Sequence, residues 1–158
     1  IGELCALRWC DLDLEHKKLS VRGSFSTASR KVTSPKTKTS IRTIDLPNRL
    51  VEELKQRYER KKKLDGFNDN YYVFGDIAIT WPGTFRYRFN NDLKNADVKR
   101  ITIHGFRHSH ASYLLSNPMI SESLVAERLG HSVDMLRSTY AHIYEKRRTA
   151  LVEYIEKL

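Results

Sequence analysis

Between Lys17 and Leu46 three short stretches alternate apolar or β-branched with polar residues, whereas over most of the remaining chain apolar residues recur at helical spacing. That switch of period constrains the fold more than any other feature. The stretches "KKLSVRGSFS", "SRKVTSPK" and "SIRTIDL" alternate apolar or β-branched with polar residues and are separated by Gly, Ser, Thr and Pro. They predict one three-stranded antiparallel sheet. Leu4 and Leu7 mark residues 1–9 as the end of a helix. Pro47 opens another, with Leu50, Val51, Leu54 and Tyr58 on one face and the pairs Glu53–Arg57 and Glu59–Lys63 on the other; it should end near Gly66. "YYVFG" reads as a short buried strand or extended segment, followed by a helix over about 84–96 that presents Phe85, Phe89 and Leu93. Three more helices are expected over about 105–116, 121–129 and 145–157. Ser121 caps the second of these, whose apolar face is Leu124, Val125 and Leu129. The third carries the stripe Leu151, Tyr154, Ile155 and Leu158, expected to be buried in its own core or against another chain. The fold class is therefore α+β, mainly helical, with one small three-stranded antiparallel sheet, and 158 residues make one domain.

Charge narrows the partners. Lys and Arg number 28 against 19 Asp and Glu, a formal net charge of +9, so a polyanion fits better than a small acidic substrate, and nucleic acid leads. Apolar runs fall well short of the roughly 20 residues of a membrane span, and no leader pattern opens the chain, so a soluble cytoplasmic location is expected. Cys5 and Cys10 are the only cysteines. They close too small a loop to staple a fold and leave no thiol set for zinc.

The stretch "ITIHGFRHSH" at 101–110 holds three histidines and an arginine. His104 and Arg107 are three apart, which on a helix puts both on one face, where they can share a phosphate. A guanidinium fork contacts two phosphate oxygens; an imidazole donates a hydrogen bond and also moves a proton. His108 pairs with His104 at the i, i+4 spacing of zinc enzymes, but no carboxylate or cysteine stands nearby to complete a site, so no metal is expected. Taken alone, the pair is more often a cap or a solvated helix face. "ERLGHSVDMLRSTYAH" then supplies a helix end at Leu129, Gly130 suited to a left-handed cap, His131 directly after it, and Tyr140 nine positions on. By itself that tyrosine is a packing residue.

Together these motifs resemble the tyrosine recombinases, the phage-integrase family of site-specific DNA recombinases, and the resemblance spans essentially the whole chain. "HGFRHSHASYLL" is similar to the family's His-x-x-Arg box, "LGH" to its next histidine and "TYAHI" to its nucleophile segment, in the same order. "IGELCALRWCDLD" resembles the first box and "SPKTKTSIRTIDLP" the hairpin with the catalytic lysine. The resemblance implies a recombinase catalytic-domain fold and site-specific DNA recombination or integration through a 3′-phosphotyrosyl intermediate. It implies Tyr140 as nucleophile, Arg107 clamping the non-bridging oxygens, and His104 bonding the phosphate or assisting proton transfer. His131 would donate to the growing charge and Lys36 would protonate the leaving 5′ oxygen. Lys38, two residues on, is the alternative lysine. Glu3 matches the acidic residue that braces catalytic neighbours, with a plain helix-surface role as the alternative. Double-stranded DNA is the implied partner, engaged by a homotetramer at the nucleoid of a bacterial cell, with no cofactor or metal. Residues 1–158 would be a C-terminal catalytic domain lacking the first-box arginine, which would precede Ile1, and the N-terminal clamping domains. Losing one such donor costs about 3 kcal/mol, so the fragment alone is expected to be inactive or badly impaired. The rivals are a non-catalytic DNA-binding or regulatory module and a type IB topoisomerase-like enzyme.

Overall fold

Among the described residues four short strands form in the alternating stretch, β2 (Lys18–Val21), β3 (Ser24–Ser26), β4 (Lys31–Thr33) and β5 (Arg42–Asp45), and a fifth, β1 (Leu12–Asp13), precedes it. In the computed structural model, which describes residues 1–33 and 40–157, β2 is the centre of a three-stranded antiparallel sheet. Leu19 faces Leu12 on β1 and Ile44 on β5. The three-stranded sheet expected from the alternation is thus present, but with different membership: β3 and β4 form a separate antiparallel pair, with Phe25 opposite Val32. The break falls at Gly23, where a Cβ would stand 2.9 Å from Val32 Cγ1 and would require that side chain to shift.

The chain divides into two compact units, Ile1–Ile103 and His104–Leu158. In the first, helix α1 (Gly2–Ala6) lies close on β3; a Cβ on Gly2 would come within 2.8 Å of the Phe25 carbonyl. Helix α2 (Asn48–Lys62) begins after Pro47 and buries Val51 and Leu54 beside Leu7, Trp9, Leu46 and Val73. Each such side chain contributes about 1.5–3 kcal/mol of burial. Tyr58, also on α2, meets the Trp9 ring edge-on at 5.2 Å. The "YYVFG" segment, expected to be a buried strand or extended segment, is instead mostly turn, closed by Gly75 N to Tyr72 O at 3.2 Å, and of its residues only Val73 is fully buried. It is tied by Val73 N to Leu7 O at 2.9 Å and Trp9 N to Tyr71 O at 3.1 Å, with one isolated bridge between Arg8 and Tyr72. Helix α3 (Pro82–Asn95) starts two residues before the expected Thr84, because Pro82 brings a helical φ and lacks only an N–H that would have no intrahelical partner.

The second unit is helical: α4 (Ile103–Ser116, entering from the boundary residue), α5 (Glu122–Leu129), α6 (Val133–Thr139) and α7 (Ala141–Ile155). The Ser121 hydroxyl accepts from Leu124 N and caps α5, and the Ser132 hydroxyl accepts from Met135 N and caps α6. Ala111, Leu115, Val125, Ala126, Leu129, Leu136, Tyr140 and Ile143 form the core. Leu124 is 60% exposed, and its place on the buried face of α5 goes to Ala126, one of the residues that pack inward with Val125 and Leu129. The α7 stripe is also exposed in this chain, with Leu151 at 58%, Tyr154 at 65% and Ile155 at 56%. Leu158, its fourth member, lies outside the described residues. The expectation of burial in its own core is therefore corrected: α7 turns Ile143 into that core, and the stripe beyond it faces solvent. Among the described residues no helix is long and apolar enough to cross a membrane.

Candidate active site

Helix α4 presents His104, Arg107 and His108 at i, i+3 and i+4, so all three project from neighbouring turns. Their partners arrive by two local devices. Gly130 adopts φ 67° and ψ 38° at the end of α5, a left-handed conformation that glycine enters without a Cβ penalty. His131 N then bonds back to Ala126 O at 2.9 Å, which fixes where the His131 ring leaves the backbone. Nine residues on, Tyr140 sits between α6 and α7 with φ −115° and ψ 30°, its N–H bonded to Leu136 O at 2.8 Å.

Arg107 Nη2 donates to the carbonyl of Leu129, one of the last carbonyls of α5, where the helix dipole is negative. The same nitrogen lies 2.8 Å from His131 Nε2. A guanidinium has no acceptor, so Nε2 must accept, and His131 is then neutral with its proton on Nδ1. These two anchors fix the plane of the Arg107 fork.

The Tyr140 ring is 3% exposed, and its hydroxyl lies 2.9 Å from His108 Nδ1. Burial pushes the Tyr140 phenol above the ordinary tyrosine range, while the charge of Arg107 pulls it partly back. The His104 ring stands edge-on to His108, with centroids 4.5 Å apart and an interplanar angle of 83°. Thus His104, Arg107, His131 and Tyr140 are linked within one unit by contacts through α4. His108, which the sequence offered only as a metal partner of His104, is the residue bonded to the tyrosine hydroxyl. The i, i+4 spacing signalled a shared face but carried no sign of Tyr140, 32 residues away.

Glu3 belongs to the first unit, where its two carboxylate oxygens each accept from Arg42 at 2.9 Å. The Arg42 side chain is 8% exposed and also donates to Ser40 O, so the pair clamps α1 to β5. Arg42 was missed from sequence because alternation placed it in a strand without naming a partner. Lys36 and Lys38 lie outside the described residues. Among the described residues no group of three or more His, Cys, Asp or Glu is arranged to hold a metal.

Comparison with known proteins gives these contacts a context. The model of the phage integrase family matches residues 1–147. A "Tyrosine recombinase XerC-like" protein of Caldanaerobacter subterraneus subsp. tengcongensis is 28% identical over 99% of this chain and 46% of its own length. The "ICEBs1 integrase" of Bacillus subtilis is 29% identical over 99% of this chain and 45% of its own. The chain therefore spans about half the length of the curated relatives it matches. The fold is that of the Tn1549 transposon integrase, solved in complex with a circular intermediate DNA. The TM-score is 0.74 at 22% identity, covering 98% of this chain and 54% of that one.

Proposed function

This chain belongs to the phage integrase family, and from that premise we propose that residues 1–158 are the catalytic part of a site-specific DNA recombinase that integrates or excises a mobile element. Tyr140 Oη attacks a DNA phosphorus, the P–O5′ bond breaks, and a 3′-phosphotyrosyl link retains the phosphodiester energy until a second strand's 5′-hydroxyl resolves it. Arg107 binds the non-bridging oxygens through its fork. On phosphate binding His131 exchanges its bond with Arg107 for a donor role toward the growing charge, and His104 bonds the phosphate. Lys36, or Lys38 in its place, protonates the departing oxygen. Glu3 acts through Arg42, holding α1 in position.

The observation that carries this reading is the pair of contacts through adjacent α4 residues: Arg107 to His131 at 2.8 Å and His108 to Tyr140 at 2.9 Å. An anion-binding guanidinium and a phenol of low intrinsic nucleophilicity are thus held beside histidines. The net charge of +9 and the DNA-bound integrases of the same fold support double-stranded DNA as the partner. The exposed α7 stripe supports assembly as a homotetramer on that DNA. The site of action is the bacterial nucleoid.

The test is a nicked suicide duplex that traps the covalent intermediate. The longest natural chain containing these residues should form a denaturant-resistant protein–DNA complex, lost in Tyr140→Phe and Arg107→Ala. Salt-sensitive binding without any such complex would favour a non-catalytic module. Relaxation of supercoils with no requirement for a defined site would favour a topoisomerase.

A further inference from the structure

The proposed attack requires Tyr140 to give up its proton, and the structure contains a group in direct contact with that hydroxyl. His108 Nδ1 lies 2.9 Å from Tyr140 Oη, within the reach expected of a general base. With the imidazole in its Nε2–H tautomer, Nδ1 is an acceptor and the phenol donates to it. The phenol ring belongs to the buried cluster that also holds Leu115, Val125, Leu129 and Leu136, so the position of its oxygen is fixed by the core. Burial makes release of the proton to bulk water harder than for a free tyrosine. The edge-on His104 ring restricts the plane of His108. His131, by contrast, has its Nε2 turned to Arg107.

We propose that His108 is a further catalytic residue, whose Nδ1 holds the Tyr140 hydroxyl in the resting site and takes its proton as Tyr140 attacks. This rests on the reading of Tyr140 as the nucleophile. In the step, the Oη–P bond forms and the P–O5′ bond breaks. The Oη proton passes to His108 Nδ1, and the departing 5′ oxygen takes a proton from the lysine ammonium of residue 36 or 38. Proton removal from the nucleophile and proton delivery to the leaving group are thus assigned to different residues.

The experiment measures single-turnover cleavage by the longest natural chain on two nicked suicide duplexes. One carries an ordinary scissile phosphodiester and the other a 5′-bridging phosphorothiolate, whose thiolate leaves without a proton. His108→Ala should cut the ordinary strand about 100-fold more slowly, with DNA affinity within about twofold of the parent. The phosphorothiolate should not restore it, whereas Lys36→Ala or Lys38→Ala, whichever is deficient, should recover on that substrate. His108→Asn keeps a side-chain hydrogen bond but accepts no proton, so it should be as slow as His108→Ala and serves the same comparison if the alanine variant folds poorly. Cleavage by His108→Ala at or above the parent rate, its recovery on the phosphorothiolate, or full activity of His108→Asn would each overturn the proposal. A covalent complex that persists in Tyr140→Phe would instead overturn the assignment of the nucleophile, and this proposal with it.

Discussion

Tyr140 carries two separable roles, and replacing it by Phe and by Ala should separate them. The ring is buried in the core of the second unit with Ala111, Leu115, Val125, Ala126, Leu129, Leu136 and Ile143. Among the described residues the hydroxyl is bonded to His108, a histidine whose side chain faces solvent. Tyr140→Phe keeps the ring and leaves His108 Nδ1 able to bond water, so it should cost only about 1 kcal/mol, the net value of one hydrogen bond. Tyr140→Ala removes the ring and leaves a cavity, which costs about 3–5 kcal/mol. The difference, about 3 kcal/mol, is a large share of the roughly 5–15 kcal/mol that stabilises a typical domain. Urea unfolding followed by far-UV circular dichroism reads both changes, and covalent-complex formation should be lost in both variants. A loss above about 2 kcal/mol in the Phe variant would mean the hydroxyl does more structural work than one solvent-replaceable bond allows. A loss below about 2 kcal/mol in the Ala variant would contradict the buried ring.

Gly130→Ala, forced into φ 67°, should cost about 1–2 kcal/mol and displace His131, lowering cleavage more than DNA binding in a single-turnover assay. Glu3→Gln should destabilise the first unit by about 1–2 kcal/mol, because it replaces the charge-assisted pair with the nearly buried Arg42 guanidinium by a single neutral acceptor; a thermal melt with no shift would sink that account. The raised phenol of Tyr140 favours the neutral form when folded. Its contribution to stability is therefore complete below the ordinary tyrosine value of about 10 and is lost as pH rises through the higher folded value. An alkaline absorbance titration of the parent minus Tyr140→Phe should show one late-ionising phenol, and a difference curve centred at or below the ordinary value would contradict the burial.

Local rules made much of this chain readable. Ser121, Gly130 and the spacing of Val125 and Leu129 set the bounds of α5 from neighbours a few residues away, and the turn at Gly130 is what positions His131. Alternation marked the strand region but could not divide it, since which strands pair is set by contacts between segments distant in sequence, such as Leu19 with Ile44 and Phe25 with Val32. Leu124 was misassigned because a periodic pattern tolerates a shift of one or two residues and Ala126 is a weaker hydrophobic signal than Leu124. In the site, the motif residues stood out by type and order. The bond that joins His108 to Tyr140 did not, because it links segments whose packing alone brings them together. The same holds for Glu3 and Arg42, 39 residues apart.

The central claim is that Tyr140 becomes covalently linked to DNA, and mass spectrometry of the trapped complex tests it most directly. After exhaustive nuclease and trypsin digestion, cleavage after Arg137 and Lys146 releases a peptide running from Ser138 to Lys146 that contains both Tyr140 and Tyr144. The account predicts that this peptide carries the mass of a 3′-linked nucleotide remnant and that fragmentation places it on Tyr140. A remnant on Tyr144 or on another residue, or unmodified peptide from a complex shown to be covalent, would contradict it.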